Sequence, residues 1–480
     1  MGVGADEFGL QLNRPRLGRY PLNAGICEPL VRMTRDFRLA PSLAVRWAYI
    51  GDNTYRFTLR RGVTFQDGVA LSVPAVRYTL DRAIAEKTQY SFLSPESVRL
   101  VDDTTVDIHP SIPNLRLLEQ LSHPSYGIIA LGSDPAVHPI CTGPFRFEEY
   151  RPRSYLSVVR NEKYWGEKAK LGRITFRFIP DDNTRALALR AGEVDAIFDV
   201  NRSMVASLRA IPGIAIATAT PGSVLLMYVT THGTPPYVRM SDPAIRRAVA
   251  MAIDRKSLVE KVMDGYATTV TTINPPAVLG KYSSEVHGLP FDTTAAGRVL
   301  DADGWKRNGE SIRSKGGNRL TLSLITQPGS VDRAVTQFVQ AQLLRVGIDA
   351  RAEELDGAAF EDRLNSGSFD LDIELPSQND ANPAFLLALR WYSKSNVRSA
   401  RFMWTEPRFD TLVAQSLASR EHDDAQRKAA EAMHVLVDEE VVAIPLAGVY
   451  RIYAMSSKVK GFVPHPSRVN QTWNTVWMAR

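Results

Sequence analysis

Apolar and polar residues alternate in short runs through the first third of the chain, and these runs predict strands around one helix. Thr54–Leu59 has the period of two that is typical of a half-buried strand. Val73–Ala85 repeats its apolar residues at helical spacing, and Ser72 is placed to cap the first turn. Val98–Ile108 is predicted to be a hairpin, because two strand-like runs flank a pair of aspartates.

The rest of the chain alternates strand patterns with helix patterns, an order that is typical of α/β layers. The clearest helix is predicted over Pro243–Met263, where Asp242 supplies the N-cap and a proline takes the first helical position. Further helices are predicted at Asp182–Ala191, Val331–Arg345, Phe360–Asn365, Phe409–Ser416 and Asp424–Glu439. Further strands are predicted at Tyr155–Arg160, Arg173–Phe178, Ala196–Val200, Leu225–Thr230, Leu320–Thr326, Ile348–Glu354 and Phe369–Glu374.

These elements form two α/β regions, joined near residue 235, with the chain returning at about residue 441. The length of 480 residues corresponds to two or three domains at the usual ~100–200 residues each. Charged residues make up 23% and hydrophobic residues 44% of the chain, which excludes wholesale disorder. The sequence therefore predicts a two-lobed α/β protein.

The distribution of charged and apolar residues limits the classes of partner that the protein is expected to bind. Lys plus Arg number 58 and Asp plus Glu 52, and the net charge of +6 is spread along the chain. No basic block with interleaved aromatic residues stands out, which argues against nucleic-acid binding. No apolar run reaches the ~20 residues that span a bilayer. The opening segment MGVGADEFGL lacks the features of a secretory signal, so we expect either a cytosolic protein or one whose export signal is not in this sequence.

A search for catalytic and metal-binding patterns favours a binding protein over an enzyme. The sequence contains no G-x-S-x-G, phosphate-loop, H-E-x-x-H or C-x-x-C pattern. The eight histidines are scattered, and none pairs with another at helical spacing, so a metal site made of histidines is not expected. Two cysteines form at most one disulfide and cannot build a cysteine-rich metal site.

Five short motifs follow one another in a specific order. They are Leu39–Trp47 (LAPSLAVRW), Tyr55–Gly68 (YRFTLRRGVTFQDG), Cys141–Phe145 (CTGPF), Arg160–Glu167 (RNEKYWGE) and Asp242–Asp254 (DPAIRRAVAMAID). In order and spacing they resemble the peptide/nickel class, family 5, of the extracellular solute-binding proteins that serve ABC importers. The resemblance covers nearly the whole chain, from about residue 20 to residue 478.

The resemblance implies a two-lobed, periplasmic-binding-protein-like α/β fold of the Venus-flytrap type, with an extra subdomain on the first lobe. The first lobe would comprise residues 1–30, 146–234 and 445–480, the extra subdomain residues 31–145, and the second lobe residues 235–444. In this family the ligand lies in the cleft between the lobes and is enclosed by hinge closure, which requires no catalytic groups.

The resemblance also implies a function and a location. The protein would capture a small polar solute and deliver it to the permease subunits of an ABC transporter, as a monomer, without a cofactor or a metal of its own. It would lie in the periplasm or outside the cell, with a lipid anchor as an open alternative. Two interpretations compete with this one. The first is a sensor or chaperone built on the same scaffold, and the second is a hydrolase built on it.

The ligand stays open between a peptide, an opine-like conjugate and a metal–chelator complex. In the peptide binders of this family, an aspartate near a Trp-x-x-Asp sequence pairs with the peptide's amine. The corresponding stretch here, Phe369–Leu387, has no tryptophan, although it contains Asp380. The histidine that follows a Met-Arg pair in the nickel-complex binders has no counterpart after Arg390.

Cationic and aromatic residues in the second lobe suggest a ligand that carries a carboxylate. Arg390 or Arg401 would bind it, since the planar guanidinium donates two parallel hydrogen bonds. Trp391 or Tyr392 would form a stacking wall. The ligand-binding candidates that the resemblance implies by position are Asn23, Glu28, Tyr90, Phe92, Thr142, Gln378, Asn379, Asp380, Arg390, Trp391, Tyr392 and Arg401.

The resemblance also points to a disulfide between Cys27 and Cys141. Both cysteines replace other residues in otherwise matching motifs, near the junction of the first lobe and its extra subdomain. An exported protein meets an oxidising compartment, where such a bond persists. Two unpaired, buried thiols are the alternative.

Overall fold

A computed structural model describes residues 1–3, 25–85, 93–110, 116–123, 126–135, 137–327, 333–376, 378, 381–395, 403–467 and 470–480. These residues form two compact units. The first unit comprises Met1–Thr220 and Arg451–Arg480 together with Ala381, and the second comprises Pro221–Gln378 and Asn382–Tyr450. The three-part division into lobes and subdomain stays a prediction.

The first unit contains a seven-stranded mixed sheet whose neighbours come from distant parts of the chain. Its strands, in spatial order, are Ile214–Thr218, Ile452–Ser456, Ala196–Ile197, Gly2–Val3, Arg173–Phe178, Tyr155–Arg160 and Phe145–Arg151. The helices Asp182–Arg190 and Arg202–Arg209 contact this sheet, and each begins at a side-chain cap, Asp181 or Asn201. Phe145, Phe176 and Trp473 are central to its buried core.

A second sheet of the first unit has four antiparallel strands. They are Ala44–Gly51, Thr54–Leu59, Thr105–Ile108 and Val98–Asp102, in that spatial order. The helix Val73–Ala85 packs its buried residues with those of the sheet in one core. Smaller elements of this unit are the helix Leu117–Leu121, the strand pair Val31–Met33 and Leu39–Pro41, and the pair Val459–Lys460 and Trp477–Met478.

The second unit is built on a six-stranded mixed sheet with apolar side chains on both faces. The strands, in spatial order, are Ala267–Thr268, Ala443–Val449, Ser223–Val229, Leu371–Glu374, Thr321–Thr326 and Asp349–Glu354. The helices are Pro243–Ala252, Arg255–Ser257, Pro276–Leu279, Thr293–Ala302, Arg333–Arg345, Gly357–Ser366, Phe385–Arg390, Pro407–Ala418 and His422–His434. A small hairpin joins Ser314–Lys315 to Asn318–Arg319.

The alternation in Ser223–Val229 separates the two faces of this sheet. Leu225, Met227 and Val229 belong to one core, together with Pro243–Ala252 and Arg333–Arg345. The intervening Val224, Leu226 and Tyr228 belong to a second core, which includes residues of Phe385–Arg390 and His422–His434. This second face carries the candidate site residues of the unit.

The predicted helix Pro243–Met263 is wrong at its C-terminal end. Asp242 caps it, accepting a 2.8 Å hydrogen bond from the backbone N–H of Ala244, but the α-helix ends at Ala252. Ile253 is extended, and Asp254 starts a new turn by accepting hydrogen bonds from the N–H and hydroxyl of Ser257. Residues Leu258–Val262 continue as a π-helical turn. An aspartate that bonds the backbone ahead of it competes with helix continuation, which apolar spacing alone does not reveal.

The other elements differ from the predictions mainly at their ends. The predicted strand Ala196–Val200 covers only Ala196–Ile197, because Asp199 has a positive φ of 51° that no strand accommodates. The predicted helix Asp424–Glu439 divides into α-helix His422–His434 and a π-helical turn at Val435–Glu439. The strands Thr54–Leu59, Tyr155–Arg160 and Arg173–Phe178 and the helix Val73–Ala85 are confirmed with their predicted bounds.

Within the described ranges, none of the helices combines the length and the apolar character needed to cross a bilayer.

Candidate functional site

In the first unit, the carboxylate of Glu28 is surrounded by hydrogen-bond donors. It accepts hydrogen bonds from the hydroxyl of Thr142 at 2.9 Å, the hydroxyl of Tyr164 at 2.7 Å and the indole Nε1 of Trp165 at 2.8 Å. Burial raises the pKa of Glu28, while the three hydrogen bonds and the charge of Arg60 oppose that shift. The guanidinium of Arg60 lies over the Trp165 ring, 4.6 Å from its centroid.

The motif around Cys141–Phe145 brings Thr142 to this carboxylate. A side chain at Gly143 would clash with the backbone carbonyl of Gly25, so only glycine allows the two segments this close. The side chain of Asn161 donates a 3.0 Å hydrogen bond to the Gly143 carbonyl and accepts one from the N–H of Lys163. Asn161 thereby connects the turn that carries Tyr164 and Trp165 to the Cys141–Phe145 segment.

Gln66 links the same segments through its side-chain amide. Its Nε2 donates to the carbonyls of Ile26 at 3.1 Å and Phe145 at 2.7 Å, and its Oε1 accepts from the N–H of Cys141 at 3.2 Å. Cys27 and Cys141 are joined by a disulfide, which is the pairing predicted from the sequence. The disulfide and the hydrogen bond from Thr142 to Glu28 therefore lie at successive residues of the same two segments.

These contacts show that Glu28 and Thr142 link segments of the first unit through hydrogen bonds. Thr142 is fully buried, and three donors of the unit itself bond the Glu28 carboxylate. Buried polar groups of this kind are stabilised by their own partners and require no ligand. The predicted part of Glu28 and Thr142 in ligand binding stays a prediction.

In the second unit, Arg390 and Trp391 meet at the ring of Tyr228. Trp391 is 1% exposed and stacks on Tyr228 with ring centroids 5.5 Å apart and an interplanar angle of 23°. The Arg390 guanidinium lies over the same ring at 5.9 Å, and its Nη2 is 3.9 Å from Oε2 of Glu374. The side chains of Arg390 and Glu374 keep 26% and 20% of their exposed area. This arrangement fixes a solvent-accessible guanidinium beside a carboxylate.

The sheet register explains why Glu374 reaches this place. Leu226 pairs with Glu374, and Tyr228 pairs with Asp372, across antiparallel strands. Alternate residues of a strand point to one face, so Asp372 and Glu374 share the face of Tyr228. Glu374 and Tyr228 were not among the site residues predicted from the sequence. The sequence signal that could have identified Glu374 is the alternation of apolar residues with carboxylates in Leu371–Glu374.

Gln378 is buried and follows the strand Leu371–Glu374 in the chain. Its Nε2 donates a 3.3 Å hydrogen bond to the carbonyl of Asn382, whose side chain accepts from the N–H of Ala384 at 2.9 Å. Asn274 is fully buried and donates from Nδ2 to the carbonyl of Pro383 at 2.7 Å. Asn274 and Asn382 were not among the predicted site residues, and the one sequence signal at each is the proline that directly follows it.

Tyr392 packs at the margin of the same core. Burial raises the pKa of its phenol, and the charge of Asp410 adds to the shift. The remaining ligand-binding candidates lie outside the described residues: Asn23, Tyr90, Phe92, Asn379, Asp380 and Arg401. In the portion of the chain that is described, no three or more His, Cys, Asp or Glu side chains are arranged to hold a metal ion.

The family is established by comparison with known proteins. Residues 38–397 match the family model described as bacterial extracellular solute-binding proteins, family 5, middle region, and the chain belongs to this family. The chain is 29% identical over 341 residues to glutathione-binding protein GsiB of Salmonella choleraesuis, covering 68% of this chain and 64% of that protein. It is 25% identical over 466 residues to the nickel-binding periplasmic protein of Escherichia coli K12, covering 92% and 86%.

Solved structures support the fold. NikA from Brucella suis, crystallised with Fe(III)-EDTA, has a TM-score of 0.87 at 24% identity, covering 100% of this chain and 99% of that one. An ABC transporter substrate-binding protein from Sinorhizobium meliloti has a TM-score of 0.80 at 25% identity, covering 100% and 99%. The predicted fold class, two-lobed and periplasmic-binding-protein-like, is confirmed by these structures. The predicted class of function, a solute-binding protein, is confirmed by the family model.

Proposed function

We propose that this protein binds a small, polar, carboxylate-bearing solute outside the cytoplasmic membrane and delivers it to the permease of an ABC importer. Its family supports the transport role. The single observation that supports the ligand class is the guanidinium of Arg390, held over Tyr228 and still partly exposed. The protein acts as a monomer, without catalysis, without nucleic acid and without a resident metal.

The physical case for Arg390 as the carboxylate anchor rests on its placement. A buried or half-buried carboxylate of a ligand must be paired, because an unpaired charge costs several kcal/mol on leaving water. Arginine pairs with carboxylate through two parallel hydrogen bonds, provided that the guanidinium plane is fixed. The ring of Tyr228, itself stacked on Trp391, provides such a fixed platform for Arg390.

Known relatives bind ligands of this chemistry. Similar proteins include a glutathione-binding protein and a NikA that binds Fe(III)-EDTA. Glutathione and EDTA both carry carboxylates, so an arginine anchor suits either one. For this chain the ligand class stays a proposal, as do hinge closure and the ligand-binding roles of the other residues predicted from the sequence. A lipid anchor stays open.

Binding measurements on two arginine variants test the proposal. The parent protein is titrated calorimetrically with glutathione, dipeptides and Fe(III)-EDTA, after native mass spectrometry has identified any co-purified solute. Arg390→Ala is expected to weaken binding of the best carboxylate probe by ~2–5 kcal/mol, because the ligand's charge loses its partner. Arg408→Ala is the matched control, since Arg408 forms an exposed ion pair with Glu439 at 2.9 Å in the same unit.

Two results would contradict the assignment of Arg390 as the carboxylate anchor. Equal binding by the parent and by Arg390→Ala would show that Arg390 is not the anchor. If the control loses as much affinity as Arg390→Ala, the effect is general to the unit and the assignment is wrong.

A further inference from the structure

We propose that a basic and partly apolar surface of the first unit binds an anionic lipid membrane. The surface is built on the strand pair Val459–Lys460 and Trp477–Met478, which we call the basic ribbon. The inference goes beyond the proposed function, because it concerns a contact with the bilayer itself and involves neither the solute nor the permease.

Large apolar side chains are exposed on the basic ribbon and beside it. Trp477 is 42% exposed, Met478 39% and Val463 43%. All seven tryptophans lie within the described residues, and Trp477 is the exposed one, since the others are buried or half-buried. Tryptophan is enriched at membrane–water interfaces, because its ring is apolar and its indole N–H is polar. An exposed tryptophan with apolar neighbours is therefore the composition expected of a lipid contact.

The same segment carries positive charge and no acidic side chain. Residues 457–480 contain four Lys or Arg side chains and no Asp or Glu, in a chain whose net charge is +6. Lys460 pairs with Trp477 across the ribbon, so a cation lies directly beside the exposed ring. Lys458 and Lys460 are both exposed, and neither has an ion-pair partner in the described part of the chain. Such a surface complements anionic headgroups, which attract Lys and Arg.

The neighbouring segments do not neutralise this charge. The N–H of Lys170 donates a 3.2 Å hydrogen bond to the carbonyl of Asn474, which brings one more cation to the surface. The N–H of Ser456 donates a 2.8 Å hydrogen bond to the carbonyl of Asp195, which brings one anion. These two neighbours offset each other and leave the surplus of the ribbon as it is.

Aromatic stacking holds the basic ribbon on the core of the first unit. Phe462 follows one strand and stacks on Trp473, which precedes the other, with ring centroids 5.4 Å apart and an interplanar angle of 22°. The N–H of Ala479 donates a 2.8 Å hydrogen bond to the carbonyl of Lys458 across the pair. Side chains on a fixed backbone lose less conformational freedom on binding than those of a mobile segment, which favours association.

A lipid surface fits this arrangement better than a protein partner does. A stable protein interface buries about 800 Å² on each partner and is depleted in lysine. Membrane association requires only a few inserted apolar side chains, provided that cations beside them face anionic headgroups. Lys458 and Lys460 lie beside the exposed Trp477 in this way.

Vesicle binding by the purified protein tests the inference. Sedimentation compares vesicles of phosphatidylcholine with vesicles of equal parts phosphatidylcholine and phosphatidylglycerol. The parent is expected to bind the anionic vesicles at least ~10-fold more strongly, and added salt should reduce that preference. Trp477→Ser and the double variant Lys458→Gln, Lys460→Gln should each lose most of this binding. The matched control Arg46→Gln, Arg99→Gln removes the same charge from exposed positions of the four-stranded sheet and should bind like the parent.

Brominated phosphatidylcholine in the anionic vesicles shows whether Trp477 itself reaches the lipid. We expect it to quench part of the parent's tryptophan fluorescence, whereas Trp477→Phe should still bind and show no quenching. Quenching that persists in Trp477→Phe would overturn the inference. A parent that binds both vesicle types equally or neither, a lysine variant that binds like the parent, or a control that loses as much binding as the lysine variant would do the same. Circular dichroism checks the fold of each variant, and the result is independent of the proposed function because the vesicles contain no permease or solute.

Discussion

Thr142 donates a 2.9 Å hydrogen bond to Glu28 directly beside the disulfide that joins the preceding residues, Cys141 and Cys27. Two consecutive residues of one segment are thus linked to two consecutive residues of another, once covalently and once by a charge-assisted hydrogen bond. The two links are chemically independent, so their contributions to stability can be measured separately.

Glu28→Gln is expected to destabilise the first unit. The carboxylate accepts from three donors, and the amide of glutamine would place its own donor against one of them. A buried donor left without an acceptor costs ~1–3 kcal/mol. Urea unfolding monitored by circular dichroism measures the loss, with Glu162→Gln as an exposed control. An unchanged midpoint for Glu28→Gln would contradict the role of this carboxylate.

The disulfide is expected to stabilise the first unit through its long loop. Cys27 and Cys141 are 114 residues apart. Closing a loop of roughly 100 residues stabilises by up to about 4.7 kcal/mol in the chain-entropy description, and often by less. Adding a phosphine reductant should lower the melting temperature of the parent. The double variant Cys27→Ala, Cys141→Ala should melt at the reduced parent's temperature and be insensitive to the reductant. A parent that melts identically in both conditions would refute this expectation.

Trp391→Ala is expected to destabilise the second unit by ~3–5 kcal/mol, because it removes a fully packed aromatic side chain. Trp391 is 1% exposed and stacks on Tyr228, whereas Trp477 is 42% exposed. Trp477→Ala therefore serves as the size-matched control and should cost less than about 1 kcal/mol. Equal losses in chemical denaturation would show that Trp391 is not part of the core.

The buried carboxyl of Asp370 is expected to make the second unit less stable as the pH rises. Burial raises the pKa of Asp370 to about 6, although the N–H of Ser323 donates a 2.9 Å hydrogen bond to its carboxyl oxygen. An acid whose pKa is raised by folding binds its proton more tightly in the folded state. Its stabilising effect is complete below the unfolded pKa of about 3.9 and is lost as the pH passes about 6.

The expected loss between pH 4 and pH 7 is about 2–3 kcal/mol for a shift of this size. Asp370→Asn keeps the acceptor for Ser323 and removes the titration. The difference in unfolding free energy between parent and variant isolates the effect, because His465 of the first unit acts with the opposite sign: burial lowers its pKa to about 4. A parent-minus-variant difference that stays constant between pH 4 and pH 7 would contradict the assignment.

Local sequence patterns predicted the elements that depend only on residues close together in the chain. The strand Thr54–Leu59 was predictable because alternate residues face one core, and the start of the helix at Pro243 because Asp242 caps it. The end of that helix was not predictable from apolar spacing, since a cap at Asp254 interrupts a pattern that continues beyond it. Competition between a side chain and the backbone is decided by hydrogen bonds, not by hydrophobicity.

In the candidate site, too, residues that are close in the chain were predictable and long-range contacts were not. Arg390 and Trp391 were identified together because they are adjacent in the chain, yet only Arg390 keeps exposed area. Glu374 and Tyr228 belong to two different strands, and their meeting with Arg390 depends on strand register and on where the helix Phe385–Arg390 packs. Such long-range pairings are absent from any local pattern.

The bond between Cys27 and Cys141 closes a ring of polypeptide that contains the whole four-stranded sheet Ala44–Ile108. A protease that cleaves once inside this ring produces two chains that remain covalently attached. On a denaturing gel the nicked protein therefore runs as one band without reductant and as two bands with it. Part of the protein can thus be cut at a surface loop and still be retained as a single molecule.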